Sequence, residues 1–182
     1  MPGDDLVPHP RLGYTRAITI NVRVDAVWPW LAQIGQGRGG LYSFDGLENL
    51  VRCDIHSRDR IVEEHQHLGV GDLVRMGPDG FPCFRVPHLS APTELVLVGA
   101  DPQPPHEPAT AGATLAWRPG NGPCTRSTAG VEKGCGSGSD SRILTGSRSC
   151  GMWSNPIGFV MEREMLRGLK GRAEGNNSEV GT

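Results

Sequence analysis

The stretch that decides the fold runs Val27-Trp-Pro-Trp-Leu-Ala-Gln-Ile-Gly-Gln-Gly-Arg-Gly-Gly-Leu-Tyr-Ser-Phe-Asp-Gly-Leu-Glu-Asn49. Its first part carries apolar side chains at the spacing of one helix face, at Val27, Trp30, Leu31 and Ile34. Asp25 precedes them as an N-cap, and Pro29 is compatible with a helix because it falls in the first turn. The pattern predicts a short helix with one buried face.

The run Gly35-Gln-Gly-Arg-Gly-Gly40 ends this helix. Its backbone N–H groups near Arg38 could bind an anion. However, the run lacks the Gly-Lys-Ser/Thr ending of a phosphate-binding loop, and it follows a helix rather than a strand. We therefore interpret it as a tight turn between two helices in which glycines supply positive φ, with Arg38 pairing with Glu48.

A second short helix is predicted directly after this turn. Ser43 or Asp45 can cap its N-terminus. Its apolar positions are Leu47, Leu50 and Val51.

Strand patterns lie on both sides of the two helices. Ile18 and Ile20 share one face of the run 14–21, which predicts a first strand. Short β-rich runs separated by Gly and Pro clusters follow at 72–76, 84–86, 94–98 and 114–117. This spacing indicates an antiparallel meander.

The strongest helical pattern lies near the C-terminus, where Asn155 and Pro156 open a segment that runs to Lys170. One stripe of this segment is apolar and comprises Ile157, Val160, Met161, Met165, Leu166 and Leu169. Residues 175–182 have no apolar pattern and are predicted to form a disordered tail.

The order of elements predicts an α+β domain over residues 13–174, preceded by an extended lead-in at 1–12. The order is a strand, two short helices, several antiparallel strands and a long C-terminal helix. In this arrangement a curved antiparallel sheet wraps around the C-terminal helix. Such a sheet and helix can enclose a pocket rather than a solid core.

Composition excludes several classes of function. The 182 residues carry a formal net charge of −2 with no long run of one sign, which argues against a nucleic-acid surface. Five cysteines without a Cys-x-x-Cys pair indicate neither a disulfide set nor a zinc ribbon. No signal peptide or membrane span is apparent, so we expect a cytoplasmic protein.

The stretch 27–49 resembles an actinobacterial branch of the START-like superfamily, also called SRPBCC or polyketide cyclase and lipid transport-like. Further matching motifs are Asp54-Ile-His-Ser57, Arg60-Ile61, Val70-Gly-Asp72 and the closing run Phe159–Glu174. The resemblance covers roughly residues 14–117 and 156–174. It implies a helix-grip fold with an apolar cavity between the sheet and the C-terminal helix, and it does not imply one activity.

Residues 119–153 depart from that pattern, since relatives would carry two long strands here. The run 120–141 cannot alternate apolar and polar residues, and the segment 119–153 is therefore predicted to be irregular. One hypothesis is translation out of frame, because the codons of Thr128-Ala-Gly-Val-Glu132 read one nucleotide later permit Arg-Leu-Val-Ser-Arg. The alternative is a natural flexible insertion. Resequencing the gene decides between them.

One cluster carries metal-ligand chemistry. It comprises His56, Glu63, Glu64, His65 and His67. His65 and His67 could bind a divalent ion from one face of a strand. However, no third ligand for that ion lies at a recognised spacing, and the flanking residues are polar. We interpret these side chains as surface groups and expect neither a metal nor another cofactor.

Three residues are candidates for acid or base chemistry, namely His56, Glu48 and Asp59. Four neighbouring side chains look like a catalytic set, namely Asp54, His56, Ser57 and Asp59, but nearness in sequence is not triad geometry. A role for His56 as an anchor of its loop is the simpler interpretation.

The predicted cavity residues are Arg38, Tyr42, Met161 and Met165, and the two methionines stand one helical turn apart. The leading hypothesis is a protein that binds an apolar small molecule, such as a lipid or polyketide-like metabolite, without catalysing a reaction. The alternative is a cyclase or dehydratase that moves a proton in the same cavity. A third possibility is a chain whose folding is compromised by residues 119–153.

Overall fold

The computed structural model describes residues 12–50, 52–101, 114–119, 141–149 and 156–179. The strands are β1 (Leu12–Ile20), β2 (Leu73–Arg75), β3 (Cys83–Ser90), β4 (Glu94–Ala100), β5 (Thr114–Pro119) and β6 (Ser141–Ser149). The helices are α1 (Val24–Ala32), α2 (Asp45–Leu50) and α3 (Pro156–Glu179), with a 3₁₀ turn at Glu63–His65.

The strands form one antiparallel sheet in the order β1-β6-β5-β4-β3-β2. Strands β2 to β6 follow one another as a meander. The last strand, β6, pairs with β1 at the edge of the sheet, with Ile18 opposite Ile143. The α+β helix-grip arrangement predicted from the sequence, with two short helices after the first strand, is confirmed.

The register of the sheet shifts once, between β3 and β4. Arg85 pairs with Val98 but His88 pairs with Val96, so β3 has one residue more than its partner in this interval. Pro87 lies in the interval. A proline has no N–H to give to a sheet, so a bulge is one of the few places within a strand where it is tolerated.

Helix α1 begins earlier than the sequence predicts. Its flanking residue is Arg23, which is extended and makes no side-chain cap, while Asp25 lies in the first turn and pairs with Arg23 at 3.2 Å. The prediction of Asp25 as N-cap is therefore wrong. Pro29 lies inside the helix rather than in its first turn.

The core joins α1 and α3 to one face of the sheet. Its fully buried side chains include Val27 and Trp30 of α1, Ile20 of β1, Phe84 of β3, Leu95 and Leu97 of β4, and Leu169 of α3. Helix α3 packs against α1 and β1. Burial of this apolar surface, at about 25 cal/mol per Å², fixes α3 across the sheet.

Helix α3 begins at Pro156 as the sequence predicts, but it differs from the prediction in two ways. It extends to Glu179, so the prediction of disorder from residue 175 is wrong for 175–179. Val160, predicted to be in the buried stripe, is 49% exposed. Leu166 and Leu169 are buried as predicted, and Glu162 and Ala173 complete the buried stripe.

The stretch 119–153, predicted to be irregular, contains β6 at Ser141–Ser149. For those nine residues the structure corrects the prediction. Residues 120–140 lie outside the described part of the chain, as do residues 1–11 of the predicted lead-in, Val51 and the last three residues. Within the described ranges, no helix has the length and apolar character needed to cross a membrane.

Candidate functional site

The glycine run is a tight turn, as predicted. The N–H of Gly35 donates to the carbonyl of Gly40, and the N–H of Gly40 donates to the carbonyl of Gly35. Both glycines have positive φ, 124° for Gly35 and 85° for Gly40. The Arg38 guanidinium donates through Nη2 to the carbonyl oxygens of Ala32 (2.9 Å) and His65 (2.7 Å). Burial lowers the pKa of Arg38. The predicted pairing of Arg38 with Glu48 is wrong, because the guanidinium faces these carbonyls instead.

Tyr42 lies in the core directly beneath α3. It is 2% exposed, its hydroxyl donates to the Trp30 carbonyl at 2.9 Å, and its ring meets the Trp30 ring edge-on. The Arg172 guanidinium lies 5.0 Å from the ring centroid. Burial raises the pKa of Tyr42 to about 12. The geometry gives Tyr42 a packing role, since its polar group already has a partner.

The loop after α2 is anchored by two side chains of that helix. Asn49 makes two 2.7 Å hydrogen bonds to Ile55, donating through Nδ2 to the carbonyl and accepting from the N–H through Oδ1. Asp45 accepts from the N–H and the hydroxyl of Ser57, each at 2.6 Å. The Asp45 carboxylate therefore holds this loop, and α2 has a fixed position relative to it.

We expect Asn49→Ala to destabilise the protein by about 1 to 2 kcal/mol, because it removes two hydrogen bonds and leaves the Ile55 backbone groups without them. Leu50→Ala is the matched control on the same helix, since Leu50 is 78% exposed and should change stability little. Urea unfolding followed by circular dichroism measures both. Equal unfolding midpoints for the two variants would contradict the anchoring role of Asn49.

Glu48 is the most unusual side chain of α2. It is 4% exposed, and within the described part of the chain neither carboxyl oxygen has a partner at hydrogen-bonding distance and angle. Burial, with a smaller contribution from the charge of Asp45, raises the pKa of Glu48 to about 7, and the nearby Ser43 hydroxyl partly opposes this rise. The structure therefore holds a desolvated carboxyl group near the midpoint of its titration at neutral pH.

Ser43 connects this carboxyl to the C-terminal helix. Its hydroxyl donates to the Met161 carbonyl at 3.2 Å and lies 3.7 Å from the Met161 sulfur. Met161 is half-buried, and Met165 is partly buried against the core. The structure thus places the start of α2 against the N-terminal half of α3, where both predicted methionines lie.

A second buried carboxyl, that of Glu162, belongs to α3 and was not among the predicted site residues. It is 5% exposed and lies on the inward stripe four residues before Leu166. Its spacing from Leu166 and Leu169 would have identified it as an inward position. It was missed because a charged residue is normally assigned to the surface.

The other two acid or base candidates lie on the surface. The His56 side chain is 73% exposed and its Nε2 lies 3.2 Å from Asp54 Oδ1. Asp59 is 88% exposed and pairs with Arg172 at 2.8 Å. Of the three candidates, only Glu48 is removed from water.

The histidine cluster at 56–67 forms no metal site in the described part of the chain, where no group of three or more His, Cys, Asp or Glu side chains could hold an ion. Glu63 and Glu64 are exposed, and the backbone carbonyl of His65 accepts a hydrogen bond from Arg38. The interpretation of these side chains as surface groups agrees with this placement.

Comparison with known proteins gives similarity to solved structures alone. No family model matches the sequence, and no curated protein matches it. Protein Ms6760 from Mycobacterium smegmatis is 12% identical, with 90% of this chain and 89% of that chain covered and a TM-score of 0.48. The Aha1 dimer from Colwellia psychrerythraea is 14% identical, with 90% and 96% covered and a TM-score of 0.48.

CalU16 from Micromonospora echinospora is 11% identical, with 93% of this chain and 88% of that chain covered and a TM-score of 0.37. At these identities and TM-scores, none of the three assigns a ligand, an activity or a partner to this chain.

Proposed function

We propose that this chain is a START-like protein that binds a small, mainly apolar molecule between the sheet and the N-terminal half of α3, with Glu48 as the polar contact. The observation that carries the proposal is the buried Glu48 carboxyl, whose two oxygens have no hydrogen-bond partner among the described residues. A buried carboxyl without partners costs stability, so its presence calls for a ligand or a reaction that uses it.

The apolar part of the ligand is assigned to Met161 and Met165. Both side chains are only partly buried, and the unbranched thioether of methionine adapts to ligands of different shape. Apolar burial at about 25 cal/mol per Å² supplies the affinity, and a single polar group fixes the orientation. The sequence resemblance to the START-like superfamily supports a cavity at this place.

A cyclase or dehydratase is the second candidate, and one observation favours it. Glu48 has a pKa of about 7, which is close to the value at which a side chain both accepts and returns a proton most effectively near neutral pH. A ligand with an acidic C–H or a leaving hydroxyl beside this carboxyl would become a substrate. An enzyme would consume such a compound steadily, and a variant that lacks the Glu48 carboxyl would not. A carrier would not consume it in either form.

The binding proposal is tested with Nile red, an uncharged apolar fluorophore, titrated into the purified protein. We expect saturable binding with a stoichiometry near one. Met165→Ala should weaken it about fivefold, because the substitution removes roughly 1 kcal/mol of apolar contact. Val70→Ala is the control, since Val70 is 66% exposed and lies just before β2.

Native mass spectrometry of the purified protein, followed by solvent extraction, identifies any molecule that co-purifies. The proposal fails if a natively folded sample carries nothing and Nile red fluorescence rises without saturation. It also fails if Met165→Ala and Val70→Ala bind the dye equally well.

A further inference from the structure

The surroundings of Glu48 are acidic. Asp45, three residues earlier on α2, is the one charge among the described residues that shifts the pKa of Glu48, and it acts in the same direction as burial. Asp45 accepts two hydrogen bonds from Ser57, both from uncharged groups. Helix α2 therefore carries two carboxyl groups, and the basic side chains of the loop it holds, Arg52 and His56, are exposed to solvent.

Two further groups that interact with Glu48, the Cys53 thiol and the Ser43 hydroxyl, carry no positive charge. Cys53 lies in the loop after α2 with 9% exposure, and burial together with the charge of Glu48 raises the pKa of this thiol. Ser43 offers a hydroxyl. On α3, the Ser43 hydroxyl contacts Met161, which is uncharged. Among the described residues, the desolvated carboxyl of Glu48 is thus left without a counter-ion.

We propose that the ligand of this site carries a protonated amine on an apolar body, and that its ammonium group supplies the missing counter-ion of Glu48. This inference rests on the proposed function and narrows the ligand to a cationic class. An ammonium group donates charge-assisted hydrogen bonds to a carboxylate, which are about twice as strong as neutral ones. A ligand hydroxyl is uncharged, so it cannot neutralise the ionised carboxylate of Glu48. A ligand carboxylate would be repelled by it.

The test uses three probes with the same eight-carbon tail, octylamine, octanol and octanoate, titrated by calorimetry at pH 7. We expect the amine to bind at least tenfold more tightly than the alcohol, and octanoate to bind most weakly. In Glu48→Gln the advantage of the amine over the alcohol should disappear, while the affinity for octanol stays within about twofold. Glu63→Gln, which neutralises an exposed carboxyl, should retain the wild-type order.

A second measurement needs only the wild-type protein. At pH 6 the Glu48 carboxyl is mostly protonated, so binding of octylamine should release close to one proton, whereas at pH 8.5 it should release almost none. Calorimetry in two buffers of different ionisation enthalpy counts these protons. Octanol should release none at either pH.

The outcomes separate the two levels of the proposal. Saturable and equal binding of octylamine and octanol, with no proton release, overturns the amine inference and leaves apolar binding standing. Absence of saturable binding for all three probes and for Nile red overturns both. Loss of the amine preference in Glu48→Gln together with proton release at pH 6 supports the inference.

Discussion

Replacing Gly168 with alanine is expected to destabilise the protein by about 3 kcal/mol, although alanine is the better helix former. A Cβ at this position would lie far inside contact distance of the Tyr42 carbonyl oxygen and 3.0 Å from its carbonyl carbon. Both groups are backbone, so neither can rotate away. Tyr42 has a φ of 56°, which is uncommon for a bulky residue and leaves its backbone little freedom to shift.

Gly171→Ala is the matched control for this prediction. It lies one turn further along α3, is exposed, and would place its Cβ in open space. Helix propensity alone then applies, and the variant should be more stable by about 0.5 to 1 kcal/mol. Urea unfolding of both variants measures whether each substitution lowers or raises the free energy of unfolding. Equal stabilisation of both would show that α3 does not approach the Tyr42 backbone closely.

The fold could be predicted from the sequence because its local signals agree with the tertiary structure. Pro156 marks the start of α3 through its fixed φ, and the glycines at 35 and 40 mark a turn that requires positive φ. The start of α1 was misplaced because a cap depends on which backbone groups the side chain reaches. Asp25 reaches Arg23 instead.

The candidate site could be predicted only in part. The partial burial of Met161 and Met165 follows from helical spacing. The raised pKa of Glu48 depends mainly on the burial of its carboxyl, which is set by tertiary packing rather than by a sequence pattern. The same reason explains the wrong pairing of Arg38 with Glu48. The guanidinium found partners in the backbone of Ala32 and His65, and backbone carbonyls leave no mark in a sequence pattern.

The second large effect is expected from Glu48→Gln, measured as a change in the pH dependence of stability. The folded-state pKa of Glu48 is about 7, raised by burial from its ordinary value of 4.5. Between these two values the folded protein binds more protons than the unfolded chain, so the free energy of unfolding falls as pH rises. The stability associated with the protonated carboxyl is complete below pH 4.5, declines up to about pH 7 and is absent above it.

Glutamine has the same shape and does not titrate, so the variant should lack this decline. The stability of Glu48→Gln minus that of the wild type should therefore rise by about 2 to 3 kcal/mol between pH 4.5 and pH 8. Glu64→Gln, which replaces an exposed carboxyl, should leave the wild-type slope in place. Guanidinium unfolding at a series of pH values measures all three proteins. A difference that stays constant with pH would mean that the Glu48 carboxyl is solvated or paired in solution, and it would remove the basis of both the ligand site and its preference for a cation.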